Sequence, residues 1–393
     1  MYIRRHLAPT LHRALENFPS VLVTGPRQSG KTTFLKHELG ARCDYVSFDD
    51  PLERGLALND PRGFLARFKR PVILDEIQYV PELLVYLKME IDAGRTVAGR
   101  YILTGSQQFA LMSGISESLA GRIAILELLP FSLAERPSVD DPATALWVGG
   151  YPEPALHPAH RDLWVRSYIG TYIERDVRQM RNIRDLRSFE TFLGVCAARH
   201  GQVFDTAALA RECGIALPTI KSWGGILDAS YIIHLLKPYF RNFGKRVVKT
   251  PKLYFLDPAP VCELTMQPGA QAALAGAMGG SLFEGLVIAE AVKAFTNRGM
   301  RPQVFFWRTH DGHEVDLVIA AAGRLIPVEV KLTATPTLRH ADPLTRFVKL
   351  AAAAAEPGLV VCRVGKETPL TDGHRAIPWH RFPGWLGKRL DQH

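Results

Sequence analysis

The octapeptide GPRQSGKT at 25–32 constrains this chain more than any other stretch of it. Its spacing is GxxxxGKT, and it stands directly after the apolar, β-branched run SVLVT (20–24) and directly before the helical stretch KTTFLKHEL (31–39). Gly25 and Gly30 let the backbone curl until its N–H groups and the first turn of the helix face one point, an arrangement suited to phosphate oxygens. Pro26, Arg27, Gln28 and Ser29 form the body of that loop, and Thr33 continues the helix behind it. Lys31 adds a point charge for the β- and γ-phosphates, and the Thr32 hydroxyl is a ligand for magnesium. The expected bound species is therefore ATP with Mg²⁺. A plain Gly-rich turn is the bland alternative, and the strand before and helix after it argue against that.

A second segment completes the site. In PVILDEIQ (71–78) an apolar strand ends in two acids. A carboxylate at the C-terminal edge of a parallel sheet lies in the crevice where ligands bind, so Asp75 is read as the metal holder and Glu76 as the group that orients or deprotonates the attacking water. LTGS (103–106) ends another strand, with Thr104 or Ser106 able to touch the γ-phosphate or water, or simply to close a turn. Arg122 in SLAGR is either a surface ion-pair partner or a finger reaching the nucleotide of a neighbouring subunit. Asp49 and Asp50 are read as helix caps.

The four strands SVLVT, CDYVSFDD, PVILDEIQ and RYILTGS alternate with helical stretches and are apolar throughout, which predicts an α/β unit with a parallel sheet covered on both faces. At 393 residues the chain is long enough for two or three domains. The expected boundaries are 1–135 for the nucleotide-binding core, 136–199 for a helical connector or lid, 200–257 for a third module, 258–281 for a Pro-, Gly- and Ala-rich linker, and 282–393 for a C-terminal domain. The cysteines Cys43, Cys196, Cys213, Cys262 and Cys362 are odd in number and form no CxxC pair, which fits a reducing cytoplasm better than a disulfide framework or a zinc ribbon. No apolar run reaches the roughly 18–20 residues that span a bilayer, so no membrane role is expected. The arginine-bearing N-terminus lacks the apolar core of a secretory signal and reads as a helix against the first strand.

A net charge of +9 favours an acidic partner. TAALARECGI and ALPTIKSWGGILDAS read as two helices around a Gly-containing turn, and YIIHLLKPY and PKLYFLD as two strands after them: the outline of a winged helix-turn-helix. No acid falls between Lys237 and Lys252, whereas Arg241, Lys245, Arg246 and Lys249 accumulate there with aromatic residues interleaved. With Lys221 on the second helix, these cations suit a phosphate backbone and predict DNA binding with little sequence preference; a protein-contact surface is the alternative.

In the last third, Asp316 sits in EVDLVI, and EVK (329–331) ends the next strand. Residues two apart on a strand share a face, so Glu329 and Lys331 project together within reach of Asp316. Glu284, or as second choice Glu290, on the preceding helix adds a carboxylate. Such a set can hold magnesium and orient water for phosphodiester cleavage, or it can be a cross-strand ion-pair cluster. His310 and His313 flank an Asp-Gly turn and read as solvated turn residues.

Taken in order, GPRQSGKTT, VILDEIQ, ILTGSQQF, SLAGR, LLPFSLAE, GGYPEP, TIKSW, KTPKLYFLD, FEGLVIAE, FWRTHDGHEVDLVI and PVEVK resemble, from about residue 18 to 332, a widespread group of prokaryotic AAA-type ATP-binding proteins. The resemblance implies an AAA+-like P-loop ATPase core, a winged-helix module and a C-terminal restriction-endonuclease-like domain similar to PD-(D/E)xK nucleases. It matches Lys31 and Thr32 to phosphate and magnesium binding, Asp75 and Glu76 to the second acidic segment, Arg122 to a recurrent arginine, and Asp316, Glu329 and Lys331 to the nuclease-like triad. Val315 replaces the proline of the PD element. The expected function is ATP hydrolysis driving remodelling or translocation on duplex or branched DNA by a homo-oligomer. An ATP-regulated, magnesium-dependent nuclease and an ATP-dependent partner-binding switch are the alternatives.

Overall fold

The computed structural model describes residues 2–94, 97–105, 115, 118–136, 139, 141–171, 185–239 and 249–392. The chain divides into two compact units, Met1–Phe131 with Ala229–Tyr231 and Thr296–Met300, and the remainder.

The first unit is a five-stranded, wholly parallel sheet. Its strands are β1 (Ser20–Thr24), β2 (Asp44–Ser47), β3 (Val72–Asp75), β4 (Tyr101–Gly105) and β5 (Ile123–Glu127), in the order β2-β3-β4-β1-β5. Along β1 and β3, alternate side chains enter two different cores. Leu22, Val72 and Leu74 join one cluster, and Val21, Val23 and Ile73 join the other, so the runs 21–23 and 72–74 are apolar without alternation because both faces are covered. Helices α1 (Ala8–Asn17), α2 (Lys31–Leu39), α3 (Pro51–Asn59), α4 (Pro61–Ala66) and α5 (Leu83–Ala93) supply the covers. The four expected strands are present. The fifth, β5, was not expected; it is an edge strand with three of its five residues partly covered and Ile125 exposed. Of the two acids read as caps, Asp50 caps α3 by accepting from the Leu52 N–H, while Asp49 precedes the cap, its backbone N–H donating to the Ser47 hydroxyl.

In the second unit, α6 (Pro142–Val148), α7 (Pro152–Leu156) and α8 (Arg161–Thr171) come first. Then follow α9 (Leu186–Ala198), α10 (Thr206–Cys213), α11 (Leu217–Ala229) and an antiparallel pair, β6 (Ile233–Leu236) and β7 (Lys252–Phe255). Among the described residues of 200–257 the two expected helices are α10 and α11, and α9 precedes them. The stretch read as a linker carries two short helices, α12 (Pro258–Leu264) and α13 (Ala270–Ala275), both packed on α6. Buried Asp257 caps α12 through the Ala259 N–H and also accepts from the Gly150 N–H at 2.6 Å, which ties the Gly-rich turn at 149–150 to that helix.

The long helix α14 (Gly279–Thr296) leads into a six-stranded sheet of order β12-β13-β11-β10-β9-β8. Its members are β8 (Val304–Arg308), β9 (Glu314–Ala321), β10 (Arg324–Val330), β11 (Leu359–Cys362), β12 (Thr368–Pro369) and β13 (Arg375–Pro378). Pairing is antiparallel across β8–β9–β10 and parallel across β10–β11–β13, so the sheet is mixed. Helix α15 (Asp342–Ala351) covers it through Leu344 and Phe347, against Trp307, Val318 and Val360.

Candidate functional site

The loop between β1 and α2 has the backbone its glycines require. Gly25 has φ +145° and Gly30 +91°, and Gln28 between them takes +59°. A Cβ on Gly25 would stand 2.3 Å from the Leu128 carbonyl oxygen, so no other residue fits there. Arg5 fastens the loop from below: its guanidinium donates to the Ser29 carbonyl at 2.9 Å and to the Leu129 carbonyl at 2.5 Å. The Lys31 ammonium, at the first turn of α2, donates to the Gly25 and Pro26 carbonyls at 3.1 and 2.9 Å. Among the described residues the buried Ser29 and Thr24 hydroxyls find no hydrogen-bond partner.

Opposite the loop, Asp75 ends β3 almost wholly buried. Three hydroxyls aim its carboxylate: Thr32 donates to Oδ2 at 2.8 Å, Tyr45 to Oδ2 at 2.7 Å and Thr104 to Oδ1 at 2.7 Å. Burial and the bond to Asp75 push the Tyr45 phenol well above its usual range, so it remains a donor. Glu76 follows in the left-handed region, φ +57°, a strained conformation for a non-glycine residue, and its carboxylate accepts from the Gln78 side chain.

A hydroxyl paired with one carboxylate at the mouth of a helix is what magnesium asks of a protein when phosphates supply further oxygens. The buried hydroxyls and the curled loop therefore fit a nucleotide and its metal. Of the residues expected here, Gly25, Pro26, Arg27, Gln28, Ser29, Gly30, Lys31, Thr32, Thr33, Asp75 and Glu76 lie on this loop, helix and strand end. Ser106 lies outside the described residues. Thr104 reaches Asp75, so its hydroxyl is already engaged. Arg122 forms a two-pronged ion pair with Asp92 of α5, at 2.6 and 3.0 Å. Sequence reasoning missed Arg5 and Tyr45; a basic residue before α1 and a tyrosine in a strand carry no signal until the chain folds.

The C-terminal carboxylates also converge. Lys331 donates to Glu329 at 2.5 Å and to Asp316 at 3.4 Å, and the Val330 N–H donates to the same Asp316 oxygen at 2.9 Å. Glu284 on α14 comes close too, but its partners are residues the sequence did not single out. Lys252 reaches Glu284 at 3.1 Å and Glu314 at 2.5 Å, and the Tyr254 hydroxyl donates to Glu284. Burial and the Asp316 charge raise Glu284 and Glu329 well above ordinary carboxyl values. Glu290 is elsewhere, paired with Lys293 at 3.0 Å and capping the Leu133 N–H. Among the described residues no group of three or more His, Cys, Asp or Glu is placed to hold a metal ion. The magnesium that the nuclease-like reading needs does not fit the side chains as they are paired, because Lys331 bonds both Asp316 and Glu329 and Lys252 bonds both Glu284 and Glu314. Of the expected DNA-contacting cations, Lys221 on α11 and Lys249 before β7 are exposed, and Arg241, Lys245 and Arg246 lie outside the described residues.

The fold and loop define a P-loop protein with an AAA domain, and sequence comparison agrees. The family described as "AAA domain" matches residues 17–136, "Domain of unknown function (DUF8612)" matches 139–271, and "Domain of unknown function (DUF4143)" matches 279–382. The uncharacterized protein Rv2008c of Mycobacterium tuberculosis is 32% identical over 340 residues, which cover 85% of this chain and 75% of that protein. The uncharacterized protein Mb2031c of Mycobacterium bovis matches to the same extent. The chain belongs to the family of these two proteins. Among solved structures, the Walker-type ATPase PABY2304 of Pyrococcus abyssi is similar with 16% identity and a TM-score of 0.46, covering 67% of this chain and 96% of that one. The RuvB Holliday junction branch migration motor of Thermotoga maritima is similar with 19% identity and a TM-score of 0.32, over 59% and 90%.

Proposed function

We propose that the chain hydrolyses ATP with magnesium and uses the turnover to move along or remodel DNA. The observation that carries the first half is the Thr32 hydroxyl held against buried Asp75 at 2.8 Å, at the mouth of a helix entered through a glycine-curled loop. In this reading the loop amides hold the β- and γ-phosphates, and Lys31 exchanges its loop carbonyls for phosphate oxygens. Thr32 and Asp75 would hold magnesium, which when bound supplies charge neutralisation on the phosphates. Tyr45 and Thr104 keep the Asp75 carboxylate aimed. Glu76 orients the attacking water and takes its proton. Arg122 completes the site of a neighbouring subunit in a homo-oligomer by releasing Asp92.

The DNA half is supported by the net charge of +9, by the helix pair α10–α11 with β6–β7 behind it, read as a winged helix-turn-helix, and by exposed Lys221 and Lys249. Cleavage forms no part of the proposal, because the carboxylates it needs are already paired with lysines. The test is ATP turnover by the full chain with magnesium, with and without single-stranded, duplex and branched DNA. Several-fold stimulation by at least one DNA structure is expected. Absence of turnover removes the hydrolysis reading. Turnover indifferent to every DNA, with no binding at physiological salt by anisotropy, removes the DNA half and leaves a partner-binding switch.

A further inference from the structure

Four carboxylates, Glu284, Glu314, Asp316 and Glu329, gather where α14, β9 and β10 meet, and β7 contributes the cation at their centre. Lys252 opens β7, pairs with Leu236 of β6 and bridges to Val203, so its backbone is fixed on both sides. Its side chain is 6% exposed and ends between Glu284 and Glu314. Tyr254, two residues along and therefore on the same face, donates to the same Glu284 oxygen that accepts from Lys252. Lys331 serves the other two carboxylates, and Arg308 adds a longer contact to Glu314 at 3.4 Å. Backbone bonds continue the attachment: the Tyr239 N–H donates to the Phe306 carbonyl and the Phe306 N–H to the Lys237 carbonyl, joining the chain after β6 to β8.

Buried carboxylates need a cation close by, and an ammonium with three donors can serve two of them at once. We propose that Lys252 is the resident counter-ion of this cluster, standing where a divalent cation would otherwise bind, so that the cluster clasps β7 to α14 and β9 and stays closed to metal while the lysine is seated. Burial opposes the charge on Lys252, but Glu284, Glu314 and Asp316 more than offset it and hold the group well above the usual lysine range. The carboxylates still outnumber the seated lysines, and burial together with the Asp316 charge raises both Glu284 and Glu329.

The test uses the full chain carrying Asp75→Asn, which removes the metal holder of the nucleotide site, without nucleotide and titrated with Mn²⁺ while EPR follows the free aquo ion. With Lys252 intact no stoichiometric uptake is expected. Lys252→Met should take up Mn²⁺ and gain thermal stability from it, and adding Glu284→Gln should abolish both effects. Stoichiometric uptake by the Lys252-intact protein that disappears with Glu284→Gln overturns the proposal. So does a folded Lys252→Met variant that ignores Mn²⁺. Lys252→Arg, which keeps the charge, should fold and stay metal-free; should Lys252→Met not fold, uptake of Mn²⁺ by this variant or by the Lys252-intact protein is the outcome that overturns.

Discussion

Asp75 accepts hydrogen bonds from three hydroxyls on three different elements, Thr32 of α2, Tyr45 of β2 and Thr104 of β4. A carboxylate fixed this way is restrained from rotating, so under the proposed function a cation bound to it would have a defined position before any nucleotide arrived. Glu76, next in the chain, takes a left-handed backbone, and its carboxylate accepts from Gln78 rather than from those hydroxyls. Glu76→Gln should therefore bind ATP about as well as the natural chain while kcat falls about 10²–10⁴-fold, read by calorimetry beside steady-state turnover. Unchanged turnover in this variant would remove Glu76 from the role of base. Lys31→Ala should lose nucleotide affinity as well. At Gly25, φ +145° and the Leu128 oxygen 2.3 Å from where a methyl would stand leave no room for a side chain. Gly25→Ala is expected to cost about 2–4 kcal/mol in denaturant unfolding and to abolish ATP binding; a stable variant that still binds nucleotide would contradict that geometry.

Among the elements, α11 and the segment just before β7 present the cations that can be examined one at a time. Removing one cation from a phosphate should flatten the plot of log affinity against log salt by about 1. Lys221→Ala and Lys249→Ala should each do so on duplex DNA and leave DNA-free ATP turnover unchanged; an unaltered slope in both would move the DNA-binding surface elsewhere. Arg122 is governed by its neighbour on α5. Its pairing with Asp92 strengthens its hold on the proton and occupies both prongs of the guanidinium. Asp92→Ala should free Arg122, whereas Arg122→Ala should lower turnover only at protein concentrations where subunits associate, a dependence visible in rate against concentration.

Across the whole second unit, burial sets a pH limit. His200 and His234 are both pulled down to about 4 by burial. The His200 ring accepts from the Phe255 N–H at 3.1 Å, and its far nitrogen faces Gly285, where a Cβ would come within 2.0 Å. A histidine held neutral binds fewer protons folded than unfolded between its ordinary value near 6.5 and about 4, so its contribution to stability is present above 6.5 and is lost as pH falls through that window. Each could remove up to about 3 kcal/mol by pH 4. Glu284 and Glu329 act with the opposite sign, easing as pH falls, so the informative quantity is a difference between variants. His200→Asn, which keeps an acceptor for Phe255, should be less stable at pH 7 but lose less between pH 6.5 and 4 than the natural chain; equal losses would mean His200 is already solvated in the folded state.

The nucleotide loop was legible from sequence because its requirements are local: two glycines for backbone angles, a lysine and a threonine at fixed steps, a strand before and a helix after. The parallel core was legible for a related reason, since strands covered on both faces carry unbroken apolar runs through their middles. Edge strand β5 was missed. Asp316, Glu329 and Lys331 were found together because a hairpin's period of two places them so. Their meaning was not, because Lys252 lies 64 positions before Asp316 in the chain and reaches Glu284 and Glu314 only through tertiary contact. Periodicity dictates which residues share a face, whereas the cation that fills the gap between two elements is chosen by packing across the fold. The same division separates Asp75, readable at its strand end, from Tyr45 and Arg5, whose bonds exist only once the sheet and loop have closed around them.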